Sequence, residues 1–331
     1  MNDLVARARR FAATDAGRAA LGLALVVLLG CAANGGGAFL RWSTHRGTLR
    51  EIAAHGMLAC GMTIVVVTGG IDLAVGSLLA LAAVAFAVLT MHLGVPAAAA
   101  FPLVLAGGAA AGSFSGFVVG RLRVQPFVVT LALMVFARGL AKLVAGGRKV
   151  TNAVELPGGA ITTAPRPAIF DALDGRILGD NVAIVTLIML ACFAVTYVVL
   201  RRLRVGRYLY AVGGNAEAAR LAGVPVRATL VFAYAASGLF AALAGICQCA
   251  METQGDPETG AGYELDAIAM VVLGGTSLAG GRGGVGLTLV GALTLGTLQK
   301  VLSLNAFDTD TRLMLTGVVV LAAVLLQRRK R

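Results

Sequence analysis

The chain has 331 residues, of which 58% are hydrophobic and only 13% are charged, and it carries 44 glycines and a formal net charge of +12. So few charged residues cannot cover the surface of soluble domains of this length, and the chain is too apolar for disorder. Its apolar runs do not alternate with the two-residue period of an outer-membrane barrel. Cytosolic and secreted enzymes are therefore excluded, and the sequence predicts an all-α polytopic membrane protein.

Apolar runs of about 20 residues, enough to cross a bilayer as a helix, divide residues 19–327 into about ten predicted membrane spans. The eighth run is short enough to be a re-entrant or broken element, which gives a range of eight to ten crossings. Residues 19–327 are thus predicted to form one transmembrane domain. The spans are predicted near 19–40, 52–69, 75–93, 97–120, 126–145, 183–200, 228–250, 263–279, 285–303 and 312–326.

Basic residues lie between the apolar runs and form no single patch, which argues against nucleic acid as a partner and indicates topology instead. The excess of arginine and lysine predicts that the N-terminal segment 1–18, the loop 201–227 and the tail 328–331 are cytoplasmic, so both termini lie inside. The loop 146–181 contains three prolines and several aspartates, and we expect an irregular external cap there. In this topology the three arginines of 41–50 lie on the external side of the membrane, contrary to the rule that basic residues favour the cytoplasmic side.

The five cysteines lie in apolar stretches without the paired spacing of zinc or disulfide frameworks, so we interpret them as small packing residues. The three histidines are scattered and do not suggest a metal site. The chain has no phosphate-binding loop, no His-Glu-x-x-His and no Gly-x-Ser-x-Gly. We therefore predict no catalytic residue, no metal and no cofactor on this chain, and any use of ATP must belong to a partner.

Glycines recur every four residues at Gly108, Gly112, Gly116 and Gly120. This spacing places all four on one helix face, where the backbone of another helix can approach closely. The pattern predicts a compact bundle in a membrane lipid environment and indicates nothing about substrate.

An internal repeat links residues 66–76 with 271–281, which match at seven of eleven positions with a constant offset of 205. Both copies contain a glycine pair that interrupts the helix. Glycine-interrupted apolar repeats are typical of transporters, whose substrate path runs where the helices break. We predict that these glycines flank a translocation path: Gly69, Gly70, Gly274 and Gly275.

Asp72 is the single formal charge between Glu51 and Arg121. A carboxylate inside a membrane indicates a pathway or a structural lock, but Asp72 could equally cap the following helix. One candidate function is therefore an ion-coupled secondary transporter, in which Asp72, Glu264 and Asp266 could together bind a coupling ion. We keep it as the alternative to the function that the motifs below indicate.

The segment 213–225 carries a full set of helix boundary signals. Asn215 suits the N-cap, Glu217 complements the helix dipole, Gly223 suits a left-handed terminus, and Pro225 prevents continuation. The predicted helix, 215–222, is too short to be stable alone, so it must dock either on its own bundle or on a partner protein. The candidate partner surface comprises Gly213, Gly214, Asn215, Glu217, Ala218, Arg220 and Leu221.

Four motifs, TGGIDLAVGS at 68–77, QPFVVTL at 125–131, GRYLYAVGGN at 206–215 and the 263–281 segment from YELDAI to VLGGTSLAGG, resemble those of ribose-type permeases of bacterial ABC importers. These permeases belong to the branched-chain amino acid/sugar permease superfamily. The resemblance implies a non-enzymatic, multi-pass subunit of the bacterial inner membrane that translocates a monosaccharide, most simply a pentose such as ribose.

The same resemblance implies the partners of this chain. They are a second permease copy or paralogue, an ABC ATPase that binds ATP and Mg²⁺, and a periplasmic or extracellular sugar-binding protein. It also makes 201–227 the coupling loop to the ATPase. One departure is Gln299-Lys300 near the end of the predicted ninth span, where such permeases often carry Asn-Gly.

Overall fold

The computed structural model describes residues 14–155 and 161–328, and helices dominate this part of the chain. Two short antiparallel hairpins, β1–β2 and β3–β4, interrupt the helical order. The hairpin strands are Ala153–Glu155 (β1), Ile161–Thr163 (β2), Arg176–Ile177 (β3) and Val182–Ala183 (β4). The helices are α1 (Asp15–Ala33), α2 (Trp42–Glu51), α3 (Ala53–Val67), α4 (Val75–Ala87, extended by a π-helical turn Val88–His92), α5 (Ala97–Leu122), α6 (Pro126–Val144), α7 (Ala168–Asp174), α8 (Ile184–Arg202), α9 (Arg204–Gly214), α10 (Ala216–Leu221), α11 (Val226–Glu252), α12 (Tyr263–Leu273), α13 (Val285–Leu304) and α14 (Thr309–Arg328).

Seven helices among the described residues are long and apolar enough to cross a membrane, namely α1, α4 with its π-helical turn, α5, α6, α8, α11 and α13. The pair α2 and α3 forms an eighth candidate that is bent by 49°. The prediction of an α-helical polytopic membrane protein is confirmed, whereas ten full crossings are not. The eighth predicted span, 263–279, contains only the 11-residue helix α12. At about 1.5 Å per residue this helix is roughly 16 Å long, about half of a bilayer core.

Helix α11 lies at the centre of the bundle and packs against α3, α4 and α5. Its contact with α5 uses the glycine face predicted from the sequence. A Cβ atom at Gly112 would lie 2.0 Å from the carbonyl oxygen of Tyr234, and one at Gly108 would lie 2.5 Å from that of Gly238. Only glycine permits such an approach, so the predicted close packing is confirmed.

The bundle has two ends, which we call the α10 end and the far end. Helix α11 begins at the α10 end, directly after α10, and Gly120 near the end of α5 packs there against Arg227. At the far end, Gly35 after α1 lies against Leu304, the last residue of α13. Helix α1 therefore starts towards the α10 end, and α14 begins at the far end, separated from Leu304 by four residues. This arrangement is compatible with both termini on one side, although 1–13 and 329–331 lie outside the described residues.

The segment 146–181 forms a cap over the far end. It contains hairpin β1–β2, α7 and strand β3, which pairs with β4 just after the segment, so the expectation of irregular structure is wrong for these parts. Arg50 donates a hydrogen bond to the carboxylate of Asp174. Arg46 donates to the backbone oxygen of Asp180 at 2.6 Å. These contacts explain why arginines of 41–50 are tolerated at the end that the charge rule assigns to the outside.

The first predicted span, 19–40, extends beyond the helix that is found there. Helix α1 ends at Ala33 because Asn34 adopts a left-handed backbone with φ of 40°, and its N–H caps the carbonyl of Gly30. A glycine-rich turn with positive φ follows before α2 begins at Trp42.

Candidate functional site

The first glycine pair forms the C-terminal cap of α3. Gly69 is left-handed with φ of 81°. Its N–H donates to the carbonyl of Val66 at 2.9 Å, and the N–H of Gly70 donates to that of Val65 at 3.2 Å. These two bonds define a Schellman motif, in which the left-handed position favours glycine.

The second glycine pair repeats this motif at the end of α12. Gly275 is left-handed with φ of 88°. Its N–H donates to Val272 at 2.7 Å, and the N–H of Thr276 donates to Val271 at 3.1 Å. Gly275 is thus the structural counterpart of Gly69, so the offset between the two helix ends is 206 and not the 205 of the sequence alignment.

In the turns that follow the two helices, equivalent residues are again 205 positions apart. Asp72 Oδ1 accepts the N–H of Ala74 at 3.0 Å, and Ser277 Oγ accepts the N–H of Ala279 at 3.3 Å. Each copy therefore consists of a helix, a left-handed turn and a second turn closed by a polar side chain. The one-residue difference is absorbed between the two turns, which sequence comparison could not detect.

The two copies meet at a backbone contact that we call the glycine junction, formed by Val67, Gly69, Gly213, Gly280 and Gly281. The N–H of Gly281 donates to the carbonyl of Val67 at 2.9 Å. A Cβ atom at Gly280 would lie 2.8 Å from the nitrogen of Gly69. One at Gly213 would lie 1.9 Å from the carbonyl oxygen of Val67 and 2.6 Å from the nitrogen of Gly281. Gly274 lies elsewhere, against Leu287 of α13.

Asp72 is only 2% exposed and links its turn to the central helix. Besides the bond from Ala74, its Oδ2 accepts a hydrogen bond from the hydroxyl of Ser237 at 2.7 Å. Ser237 is the twelfth residue of α11, so this contact lies well inside the bundle. The bond from Ala74 closes a turn before α4, whose N-cap is Ala74 without a side-chain cap, so the prediction that Asp72 caps the following helix is wrong. The bond from Ser237 is that of a structural lock onto α11, which is one of the alternatives that the sequence left open.

Helix α10 has the boundaries that the sequence predicted. Asn215 Oδ1 accepts the N–H groups of Glu217 and Ala218 at 3.0 and 2.9 Å. Gly223 is left-handed with φ of 81°. Arg220 binds the carboxylate of Glu217 at 2.6 Å, and this hydrogen bond lowers the pKa of Glu217.

Only one side of α10 rests on the bundle. Ala219 is buried, whereas Glu217, Ala218 and Arg220 are exposed, and Leu221 is 74% exposed. Six of the seven residues predicted as the partner surface are therefore exposed, whereas the seventh, Gly213, is packed into the glycine junction. Gly213 is the penultimate residue of α9, so α9 connects the exposed face of α10 to the bundle.

Towards the far end, the chain folds back into the bundle before α12 begins. Gly255, just after α11, packs against Ala83 and Ala87, whereas Gly260 packs against Gly76, about two turns deeper along α4. Arg138 of α6 holds this segment by donating to the carbonyls of Pro257 and Thr259 at 2.6 and 2.8 Å. Helix α12 therefore begins in the interior of the bundle, as a half-helix.

A polar cavity of about 320 Å³, which we call the far-end cavity, lies beside the start of α12. The rings of His55 and Tyr263 face each other with centroids 3.9 Å apart. Lys300 binds both carboxylate oxygens of Glu51 at 2.8 and 3.0 Å. The remaining lining side chains are Ile52, Gln248, Met251, Gln299, Ser303 and Arg312.

Of the two predicted carboxylates on α12, only Asp266 lies near this cavity. Its Oδ2 is 3.5 Å from Nε2 of His55, behind the lining residues. Glu264 instead contacts the start of α4, where a Cβ at Gly76 would lie 2.6 Å from its Oε2. Sequence reasoning missed His55 because a lone histidine in an apolar run usually has no ligand. Tyr263 stood inside a recognised motif but was given no role.

Residues 46–324 match the model of a family described as "Branched-chain amino acid transport system / permease component". The chain belongs to this permease family. The resemblance to ribose-type importer permeases that the motifs carry is thereby confirmed.

Several relatives cover most of the chain. It is 39% identical over 309 residues to the ribose import permease protein RbsC of Escherichia coli K12, covering 93% of this chain and 92% of that protein. It is 37% identical to the galactofuranose transporter permease protein YtfT of the same strain, covering 85% of this chain and 79% of that protein. It is 35% identical to the L-arabinose transport system permease protein AraH of that strain, covering 88% and 84%. No solved structure matches the chain.

Proposed function

We propose that this chain is the membrane-spanning subunit of an ATP-driven ABC importer that moves a monosaccharide, most simply a ribose-like pentose, across the bacterial inner membrane. The permease carries out no covalent chemistry in this proposal. ATP and Mg²⁺ act on a separate ATPase subunit, and a second permease copy or paralogue completes the pore. A sugar-binding protein delivers the solute to the far end.

The observation that carries this proposal is the path from α10 to the glycine junction. The exposed face of α10 offers a short, capped helix to a partner, and α9 joins it directly to Gly213. Because Gly213 contacts the backbone of both repeat copies, a displacement of α10 would move both helix breaks together. Helix breaks of this kind line the substrate path in many transporters.

The charge distribution supports the orientation in which α10 faces the cytoplasm. Arginines concentrate in α9, α10 and the adjoining turns, whereas Arg46 and Arg50 of the far end are bound by aspartates. In this orientation the far-end cavity opens towards the outside, where a delivered solute would arrive. The relatives named above for ribose, galactofuranose and L-arabinose support a sugar as that solute.

The direct test is uptake of D-ribose into proteoliposomes that contain this chain, its cognate ABC ATPase and its cognate sugar-binding protein. We expect uptake to require ATP on the α10 side and both partners. Uptake of L-leucine in place of sugars would contradict the proposed substrate class. Uptake by the chain alone, driven by a proton or sodium gradient, would instead support the ion-coupled secondary transporter.

Docking of the ATPase is tested separately by its retention during co-purification. We expect Ala218→Trp, which places a bulky side chain on the exposed face of α10, to release the ATPase. The matched control is Ala168→Trp, which makes the same change at an exposed position of α7 on the cap. Equal ATPase retention in both variants would exclude α10 as the docking surface.

A further inference from the structure

We propose that the far-end cavity is a binding site for one uncharged sugar ring, held between the His55–Tyr263 aromatic pair and the polar side chains of α13. This inference rests on the proposed function and names the residues and the class of substrate. It goes beyond the residues that the sequence predicted for the path, of which only Asp266 lies near this cavity.

The size of the cavity suits a single small solute. Its volume of about 320 Å³ lies at the lower end of the range of about 300–1,000 Å³ for small-molecule sites. Such sites combine apolar or aromatic walls with a few convergent polar groups. Here Tyr263 and Met251 provide apolar surface, and Gln248 and Gln299 provide amide donors and acceptors.

The chemistry of the walls favours hydroxyl groups. The amides of Gln248 and Gln299 both donate and accept hydrogen bonds, as does the hydroxyl of Ser303. A sugar ring presents hydroxyl groups that likewise donate and accept, and its C–H face is apolar and suits an aromatic ring. The aromatic surface is fixed by the contact of His55 with Tyr263 and by the approach of His55 to Asp266.

The charges of the cavity argue against an ionic solute. Lys300 is bound by Glu51 through both carboxylate oxygens, and its side chain is only 19% exposed. A phosphate or carboxylate group that bound Lys300 would have to break its pair with Glu51, and leaving that carboxylate uncompensated is costly.

The experiment measures protection of a thiol introduced at Ser303, a nearly isosteric change in the cavity wall. Cys31 is the exposed cysteine and the other four are buried, so the background needs only Cys31→Ser. The full chain in nanodiscs is treated with a charged methanethiosulfonate reagent, with and without sugar. The control is Thr163→Cys, an exposed position on β2 outside the cavity.

We expect D-ribose and L-arabinose to slow modification of the Ser303→Cys variant and to leave the Thr163→Cys variant unaffected. At a sugar concentration of twice Kd, two thirds of the sites are occupied, so the rate falls about threefold. D-ribose 5-phosphate and L-leucine at the same concentration should not protect. Protection by either of these and not by D-ribose would overturn the proposal.

A second measurement uses D-ribose uptake by the complete transporter. Tyr263→Ala should lower uptake by about tenfold, equivalent to about 1.4 kcal/mol, while Tyr263→Phe, which keeps the ring, should recover most of it. If the wild-type complex imports D-ribose but shows neither protection nor sensitivity to Tyr263→Ala, the sugar site lies elsewhere and the proposed function stands. If the wild-type complex imports no sugar, the proposed function itself fails.

Discussion

The backbone N–H of Gly281 donates to the carbonyl oxygen of Val67 at 2.9 Å, and this single bond joins the two copies of the internal repeat. Val67 is the last residue of α3, whereas Gly281 follows the turn after α12. Gly213 lies against both groups, so the connection to α10 passes through the same point. Three segments that are distant in the sequence are therefore in contact at this junction. They must either move together or lose these contacts when one of them is displaced.

The junction predicts a strong effect of Gly213→Ala. The added methyl group would lie 1.9 Å from the carbonyl oxygen of Val67, which belongs to the backbone and cannot rotate away. Overpacking of this kind costs about 1–3 kcal/mol and would push α9 away from the repeat. We expect ATP-driven D-ribose uptake to fall at least about tenfold, measured at equal amounts of reconstituted protein.

The control for this change is Gly139→Ala in α6, where nothing lies within 4 Å of the added methyl group. That variant should keep wild-type uptake. If Gly213→Ala retained wild-type uptake as well, the junction would not be required for coupling α9 to the repeat.

The contact between α5 and α11 predicts a difference in stability between neighbouring glycines. Gly112→Ala would bring a methyl group to 2.0 Å from the carbonyl oxygen of Tyr234, whereas Gly107→Ala meets open space. We expect Gly112→Ala to lower the free energy of unfolding by about 1–3 kcal/mol and Gly107→Ala to change it little.

The measurement is thermal unfolding in detergent, followed with a thiol-reactive dye. The four buried cysteines become accessible to the dye on unfolding and give the signal. Equal midpoints for the two variants would show that the α5–α11 interface relaxes without cost.

The sequence predicts those features that depend on local spacing. The four glycines of α5, the caps of α10 and the helix breaks after Val67 and Leu273 are all local patterns, and the structure contains them. The alignment of the repeat came within one residue. It missed the shift because both copies contain a glycine pair, and the left-handed residue is the first glycine in one copy (Gly69) and the second in the other (Gly275).

The features that sequence could not supply depend on contacts between distant segments. His55 and Tyr263 are separated by more than 200 residues and meet only because the chain folds back before α12. Likewise, the pairing of Lys300 with Glu51 gives the departure at Gln299-Lys300 a place in the far-end cavity. The length of α12 was overestimated because its apolar run continues past the glycine pair into a turn.

Because Asn215 caps α10, we expect its variants to differ in how well they retain the ATPase. Asn215→Ala removes the acceptor of both the Glu217 and Ala218 N–H groups, which costs about 1 kcal/mol. A helix of six residues has little other stability, so we expect it to unfold and release the ATPase. Asn215→Asp keeps the acceptor and should retain the ATPase during co-purification. Loss of the ATPase in both variants would indicate that the amide group itself, and not the helix, is recognised.

Variants of Asp72 distinguish most clearly between an ATP-driven importer and an ion-coupled carrier. Asp72→Asn keeps an oxygen acceptor for the N–H of Ala74 and places an amide group beside the hydroxyl of Ser237, which can accept as well as donate. Asn and Asp side chains both close turns of this kind by accepting the N–H two residues further on, so the turn should persist. Asp72→Ala removes both contacts and leaves the buried hydroxyl of Ser237 without this acceptor, at a cost of about 1–3 kcal/mol.

We therefore expect Asp72→Asn to keep a substantial part of ATP-driven D-ribose uptake and Asp72→Ala to lose most of it. Uptake by the wild-type complex should persist when an uncoupler collapses the proton gradient. A carboxylate that carried a coupling proton would behave differently, because a fixed amide cannot change its protonation during a transport cycle. Uptake that is abolished by both Asp72→Asn and the uncoupler would assign Asp72 to ion coupling and would contradict its function as a structural lock.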